Sequence, residues 1–157
     1  MIPKRIVIDT NVCLDLFVFR DPRWATLLTA LQHKEIEAIT RDDCRMEWRI
    51  VLHYPHLPLD DASRAQSALE FDDLIACIPA CALTPDEARL PVCSDRDDQK
   101  FLELARDAKA DVLITKDKAL LKLARKTARA GLFRIMLPET WVRETELAAA
   151  PCEGGCQ

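Results

Sequence analysis

The stretch Arg5-Ile6-Val7-Ile8-Asp9-Thr10-Asn11 decides the fold that the rest of the sequence predicts. Its three consecutive β-branched apolar residues are typical of a strand that is covered on both faces within a parallel sheet. Open α/β sheets bind ligands in the crevice outside the carboxyl ends of their strands. Asp9, with Thr10 and Asn11 in the turn that follows, is therefore expected at that crevice. The alternative role for Asp9 is to cap this turn.

The length and composition predict one globular domain. A chain of 157 residues with 49% hydrophobic residues buries about 70% of its unfolded surface on folding, which supports a core without disulfide or metal staples. We expect the domain to span residues 1–150 and residues 151–157 to form a flexible C-terminal tail. Asp9 and Asp15 interrupt any signal-peptide core, and no apolar run approaches the ~20 residues of a membrane span. The sequence thus predicts a cytoplasmic protein that does not enter a membrane.

Cysteine number and charge distribution narrow the function classes further. The seven cysteines are an odd number and include no C-x-x-C pair, which argues against a disulfide framework or a structural zinc site. The net charge is −4, so the chain is not a general polyanion binder. Residues 100–134 nevertheless hold 10 Lys and Arg against 4 Asp and Glu. Such a region either steers a phosphate backbone or is an ordinary solvated helix surface.

Apolar periodicity and turn signals predict an alternating order of helices and strands. Further strands are expected at 36–40, 111–115 and 132–137. Helices are expected to start at Asp21-Pro22, at Asp42 or Asp43, at Asp60, at Ser94, at Lys118 and at Pro138. The helix that starts at Lys118 is expected to reach Ala128 and to end before Gly131. The stretch 76–93 is predicted to be irregular, with one short strand at 80–83. This order implies a three-layer α/β/α sandwich with a central parallel sheet.

Four acidic residues have no role in such a fold. Asp9 and Asp117 follow predicted buried strands, and Asp98 lies in the first turn of a predicted helix. Glu47 shares a helix face with apolar residues three and four positions later, where a charge is unfavourable. Since parallel strands end at the same edge of a sheet, at least Asp9 and Asp117 are expected at one rim.

Four segments around these acids resemble the PIN-domain nuclease family. They are Ile6-Val-Ile-Asp-Thr-Asn11, Glu47-Trp-Arg-Ile-Val-Leu-His-Tyr-Pro55, Asp98-Gln-Lys-Phe-Leu-Glu-Leu-Ala105 and Leu113-Ile-Thr-Lys-Asp117. The resemblance spans roughly residues 5 to 137. More narrowly, the segments 95–106 and 110–121 are similar to VapC-like toxins of bacterial toxin–antitoxin pairs.

The resemblance implies a metal-dependent endoribonuclease that uses Mg²⁺ or Mn²⁺. Its catalytic, metal-binding acids correspond to Asp9, Glu47, Asp98 and Asp117. Asn11 and Thr115 correspond to supporting polar positions. The implied partners are an RNA substrate, a small antitoxin protein and a second copy of the chain in a homodimer.

The third acid of this set has competitors at Asp95 and Asp97. We choose Asp98 because apolar residues then follow at i+3, i+4 and i+7, namely Phe101, Leu102 and Ala105. Asp97 is then expected to cap the helix, and Asp95 to support the site.

Electrostatics supports a metal site independently of the resemblance. Two carboxylates about 5 Å apart repel by roughly 3 kcal/mol at an effective dielectric constant near 20. Several converging acids must therefore be protonated or bind a divalent cation, and a site of carboxylate oxygens suits Mg²⁺ or Mn²⁺. Lys116 and Lys118 flank Asp117 and are predicted to bind the substrate backbone.

Two other functions compete with a nuclease. A haloacid-dehalogenase type phosphatase also begins with a strand that ends in Asp, but it needs a second Asp two residues later, where this chain has Asn11. The other alternative is a catalytically silent PIN-like binding or scaffold module. The presence of all four acids argues against it.

Overall fold

Five parallel strands form the central sheet of the computed structural model, which describes residues 4–79, 83 and 88–149. The strands are β1 (Lys4–Ile8), β2 (Ile36–Arg41), β3 (Ile75–Ile78), β4 (Val112–Ile114) and β5 (Arg134–Met136). Hydrogen bonds join them in the order β3-β2-β1-β4-β5, and every neighbouring pair is parallel. The strand that carries Asp9 is therefore the central strand of the sheet.

Helices cover both faces of this sheet. They are α1 (Thr10–Phe17), α2 (Ala25–Gln32), α3 (Asp42–Val51), α4 (Asp61–Leu74), α5 (Gln99–Asp107), α6 (Lys118–Leu121), α7 (Ala124–Arg129) and α8 (Pro138–Ala149). Two single 3₁₀ turns, Pro22–Trp24 and Arg96–Asp98, precede α2 and α5. The longest of these helices has 14 residues, and no helix in the described part of the chain has the length and apolar character of a membrane span.

The central strand divides its side chains between two apolar cores. Ile6 and Ile8 belong to the core that α1, α2, α4 and α8 cover, whereas Val7 belongs to the core that α5 and α6 cover. All three side chains are at most 6% exposed, because successive residues of a strand point to opposite faces of the sheet. This two-sided burial explains the uninterrupted apolar run and confirms the predicted three-layer α/β/α sandwich.

The sequence prediction was wrong about the segment that follows Asp9. Thr10 and Asn11 are the first two residues of α1, not part of a turn. Asp9 has extended backbone angles, and its carbonyl oxygen accepts hydrogen bonds from the N–H groups of Val12 and Cys13. The helix then buries Val12, Cys13, Leu16 and Phe17 against the sheet, and this packing outweighs the turn preference of its first two residues.

Two further elements differ from the prediction. β3 was assigned to the end of a helix and to irregular chain, but its four residues pair in parallel with β2. The predicted helix from Lys118 to Ala128 is split into α6 and α7, because the N–H of Leu123 donates to the carbonyl of Leu120 and tightens the turn. The predicted strand at 80–83 lies outside the described residues except for Leu83, and so does the predicted tail.

The predicted helix signals at two other positions are confirmed. Asp60 and Ser63 form a reciprocal capping box at the start of α4. Gly131 follows α7 with a φ of +69°, in the left-handed region that favours glycine after a helix.

Candidate metal centre

Asp9 is buried at the carboxyl end of the central strand. Its backbone N–H donates to the carbonyl of Ile114 at 2.9 Å, which joins the ends of β1 and β4. Its side chain is 3% exposed, and Oδ2 accepts a hydrogen bond of 2.7 Å from the hydroxyl of Thr115. Burial, together with the nearby charge of Glu47, raises the pKa of Asp9 to about 6, although the hydrogen bond from Thr115 opposes this rise.

Thr115 connects Asp9 with Asp117. Besides donating to Asp9, its Oγ1 accepts a hydrogen bond of 3.0 Å from the backbone N–H of Asp117. The carboxylate of Asp117 in turn accepts from the N–H of Ala119 at 2.8 Å, at the start of α6. One fully buried hydroxyl thus links the segments that follow β1 and β4 at this edge of the sheet.

The third acidic segment approaches the same edge through the 3₁₀ turn before α5. Asp95 caps this turn, since its Oδ1 accepts the N–H of Asp97 at 3.0 Å. Asp97 was expected to be the cap and is instead exposed. The prediction failed because the chain reaches α5 through an extra turn, which moves the capping position two residues earlier. Asp98 is the residue that this turn buries, with 8% of it exposed.

The side chains of Asp95, Asp98 and Asp117 form one cluster. One carboxylate oxygen from each residue lies within 4.8 Å of one from each of the other two. Asp9 and Glu47 line the same cleft of about 310 Å³. Burial and the shared hydrogen bond with Asp117 hold the pKa of Asp98 well above its ordinary value, and that hydrogen bond lowers the pKa of Asp117. Of these two neighbouring acids, Asp98 is thus the one whose protonated form the fold favours, and Asp117 is the one whose ionised form it favours.

The donor set of this cluster fits a hard divalent cation. All the donors are carboxylate oxygens, which Mg²⁺ and Mn²⁺ prefer. Asp98 Oδ2 is buried and has no hydrogen-bond partner among the described residues. A buried, unpaired carboxylate oxygen is unfavourable unless it acquires a ligand. The residues at this edge are thus suited to hold a metal ion.

A model of the PIN domain matches residues 5–119 of the chain. The chain belongs to the PIN-domain family. PIN domains are generally metal-dependent nucleases, which agrees with the carboxylate cluster at the sheet edge. Comparison with curated proteins finds no match for the chain.

Glu47 enters the cleft of this PIN domain from a different direction. It lies on α3, where one oxygen accepts a hydrogen bond from the hydroxyl of Thr10 and the other lies 2.9 Å from Nζ of Lys100. Lys100 also donates to the backbone carbonyl of Asp97. Glu47 is therefore neutralised by a lysine and does not belong to the converging trio, although it lines the same cleft.

The remaining predicted site residues take different positions in the PIN domain. Asn11 is exposed and lines the cleft. Lys116 forms an ion pair of 2.6 Å with Asp15, whose buried carboxylate also accepts the indole N–H of Trp24 at 3.1 Å. Lys118 is exposed at the start of α6. Neither lysine is among the residues that line the acidic cleft.

Four residues in or beside the cleft were not predicted from the sequence. Thr10 and Lys100 bind Glu47, and Tyr54 and His56 line the cleft beside the acids. Thr10 was treated as a turn residue, and Lys100 as one of many basic residues on a helix surface. The tyrosine follows Glu47 within the second family-like segment, but nothing in its spacing distinguishes it from a helix-end residue.

Proposed function

We propose that this PIN domain is an endoribonuclease that hydrolyses phosphodiester bonds of RNA with Mg²⁺ or Mn²⁺ as its cofactor. The convergence of Asp95, Asp98 and Asp117 at the carboxyl edge of the sheet carries the proposal. Asp9 lines the same cleft. The unpaired oxygen of Asp98 supports it further, since a catalytic cation would provide the partner that this oxygen lacks.

The assigned catalytic and metal-binding residues are Asp9, Glu47, Asp98 and Asp117, with Asp95 as an additional oxygen donor. A bound divalent cation lowers the pKa of an attacking water and neutralises charge on the leaving oxygen. Because burial raises the pKa of Asp98, cation binding at this carboxyl group would be linked to proton release. Thr115 keeps Asp9 and Asp117 oriented during this exchange, and Lys100 and Thr10 orient Glu47. Cleavage of this kind leaves a 5′-phosphate and a 3′-hydroxyl.

Cleavage of a broad RNA pool tests this activity. We expect purified protein to cut RNA in Mg²⁺ or Mn²⁺, to stop in EDTA, and to produce the two end groups named above. Asp98→Asn and Asp117→Asn should reduce the rate by at least 100-fold, since each removes a charged ligand. Asp73→Asn is the matched control because Asp73 is exposed on α4 and does not line the cleft. A protein that is inert with both metals would favour the catalytically silent binding module.

We also propose that the chain is the toxin of a toxin–antitoxin pair and acts in the cytoplasm. The likeness of segments 95–106 and 110–121 to VapC-like toxins supports this role. Its partners would be a small antitoxin encoded beside it and a second copy of the chain. Expression in a bacterial host should arrest growth, Asp9→Asn should abolish the arrest, and co-expression of the neighbouring small gene should relieve it. Normal growth with active protein would contradict the toxin role but not the nuclease activity.

A further inference from the structure

The acidic cleft has a second wall that the metal chemistry does not use. Tyr54 and His56 line the cleft together with the apolar side chains of Leu14 and Val51. The two rings lie 5.8 Å apart between their centroids and are tilted by 42°. Tyr54 is 45% exposed, and His56 is exposed as well. Large exposed aromatic side chains beside a phosphodiester-cleaving site are suited to contact a base.

The segment that carries the two rings is fixed from both sides. Leu52 and Leu57 are 2% and 7% exposed and anchor the segment in the protein. The N–H of Tyr54 donates to the carbonyl of Val51 at 3.0 Å, and the carbonyl of Tyr54 accepts from Leu57 at 3.2 Å. Pro55, which lies between the rings, restricts the backbone further. The backbone that carries the rings is thus held in place, so little backbone entropy is lost when a ligand stacks on them.

The negative charge of the cleft makes an uncharged contact with the substrate important. Six of the residues that line it are acids, and none of the described lining residues is Lys or Arg. Lys100, which lies beside the cleft, already pairs with Glu47. A phosphodiester therefore gains little from basic side chains here, even when a cation offsets part of the negative charge. Stacking of an uncharged base supplies binding energy that this repulsion does not weaken.

We propose that Tyr54 and His56 form a nucleobase subsite that holds one unpaired base beside the phosphodiester to be cut. The inference rests on the proposed nuclease function and adds to it the two aromatic side chains that would contact the base. A base within a duplex is stacked on both faces and cannot lie on a protein ring without being extruded. Asn11, which is exposed in the same cleft, offers a donor and an acceptor to the edge of the base.

The test compares a labelled single-stranded RNA oligonucleotide with the same oligonucleotide made abasic at its central positions. Binding is measured in Mg²⁺ by fluorescence anisotropy on full-length protein with Asp9→Asn, so that the RNA stays intact. Base stacking on an aromatic ring contributes about 1–3 kcal/mol. We therefore expect the intact oligonucleotide to bind about 5- to 150-fold more tightly than the abasic one. Tyr54→Ala should remove most of this preference, and His56→Ala should reduce it.

Two further variants separate stacking from other effects. Tyr54→Phe keeps the ring and should retain the preference, whereas loss of the preference in Tyr54→Phe would overturn stacking as its cause. Phe19→Ala removes an aromatic side chain of similar exposure that does not line the cleft, and it should leave binding unchanged. Equal binding of intact and abasic RNA, or no binding of either, overturns the subsite even if the wild-type protein cleaves RNA. A base preference that depends on Tyr54 in a protein that never cleaves supports the subsite and contradicts the nuclease.

Discussion

The ammonium of Lys100 lies 2.9 Å from Oε1 of Glu47, so a lysine of α5 neutralises an acid of α3 inside the cleft. The lysine side chain is 19% exposed and the glutamate side chain 27% exposed. The pair is therefore shielded from solvent more than a surface ion pair. It also ties the two helices together beside the acidic trio.

This ion pair predicts how the cleft responds to loss of the lysine. Lys100→Met leaves Glu47 without its cation and should strengthen Mn²⁺ binding by on the order of 1–2 kcal/mol, or about tenfold. Without metal the same variant should be less stable than the wild type at neutral pH. Isothermal titration calorimetry gives the affinity and the stoichiometry. Lys126→Met, on the exposed surface of α7, is the control, and equal Mn²⁺ affinity of all three proteins would contradict the prediction.

A second prediction concerns the pH dependence of the metal-free protein. The pKa of Asp9 is about 6 in the fold and near 3.8 in the unfolded chain, and the pKa of Asp98 is also raised. At these two groups the native state then holds more protons than the unfolded state, so their contribution to the free energy of unfolding is full below about pH 4 and falls as the pH rises through 6. Thermal unfolding in EDTA at several pH values measures this fall.

The variant that tests the same effect is Asp98→Asn. In EDTA at pH 8 it should raise Tm by a few degrees, because it removes a buried charge that has no cation to balance it. Mn²⁺ should raise Tm of the wild type and have less effect on the variant. Asp73→Asn should behave as the wild type does. If Tm changes neither with Mn²⁺ nor in Asp98→Asn, the acidic cluster is not a metal site.

The sequence predicted the sheet edge better than the cleft. The apolar runs before Asp9 and Asp117 are local signals, and they form two β-strands that end at the same edge of the sheet. The helix over Thr10–Phe17 was missed because its first two residues favour turns. β3 was missed because its four residues continue the apolar pattern of the preceding helix. Both segments take their structure from tertiary packing.

The contacts that build the cleft have no local signature. Thr10 bonds Glu47 across 37 positions, Lys100 reaches the same glutamate across 53, and Thr115 reaches Asp9 across 106. A sequence indicates that these residue types are present, but only the order of the strands brings them together. The approach of Asp95 to Asp98 and Asp117 has the same origin, since the 3₁₀ turn that follows Asp95 was not expected.

A third prediction concerns the bridging hydroxyl of Thr115. Thr115→Val keeps a similar shape but removes the donor to Asp9 and the acceptor for Asp117. We expect a loss of unfolding free energy of about 1–3 kcal/mol and a decrease of roughly 10-fold in Mn²⁺ affinity. Thr115→Ser should restore most of both values because it keeps the hydroxyl.

The control for this variant is Thr127→Val on α7. Thr127 is also fully buried, and its hydroxyl donates to the carbonyl of Ala124 at 3.2 Å, away from the acids. It should lower stability in urea unfolding without changing Mn²⁺ affinity. A Thr115→Val protein that binds Mn²⁺ as tightly as the wild type would show that Thr115 has only a structural role.

The last prediction separates the two lysines that flank Asp117. Lys116 pairs with the buried carboxylate of Asp15. Lys116→Met should therefore lower the unfolding free energy by on the order of 1–2 kcal/mol. This value is smaller than for a fully buried pair because the lysine side chain is 37% exposed. Lys118 is exposed and available to a phosphate. Lys118→Met should weaken RNA binding about two- to fivefold, lower the salt dependence by about one counterion and leave stability unchanged. Urea unfolding and anisotropy at several salt concentrations measure both effects. Unchanged stability in Lys116→Met together with a reduced salt dependence would assign this lysine to the substrate backbone instead of to Asp15.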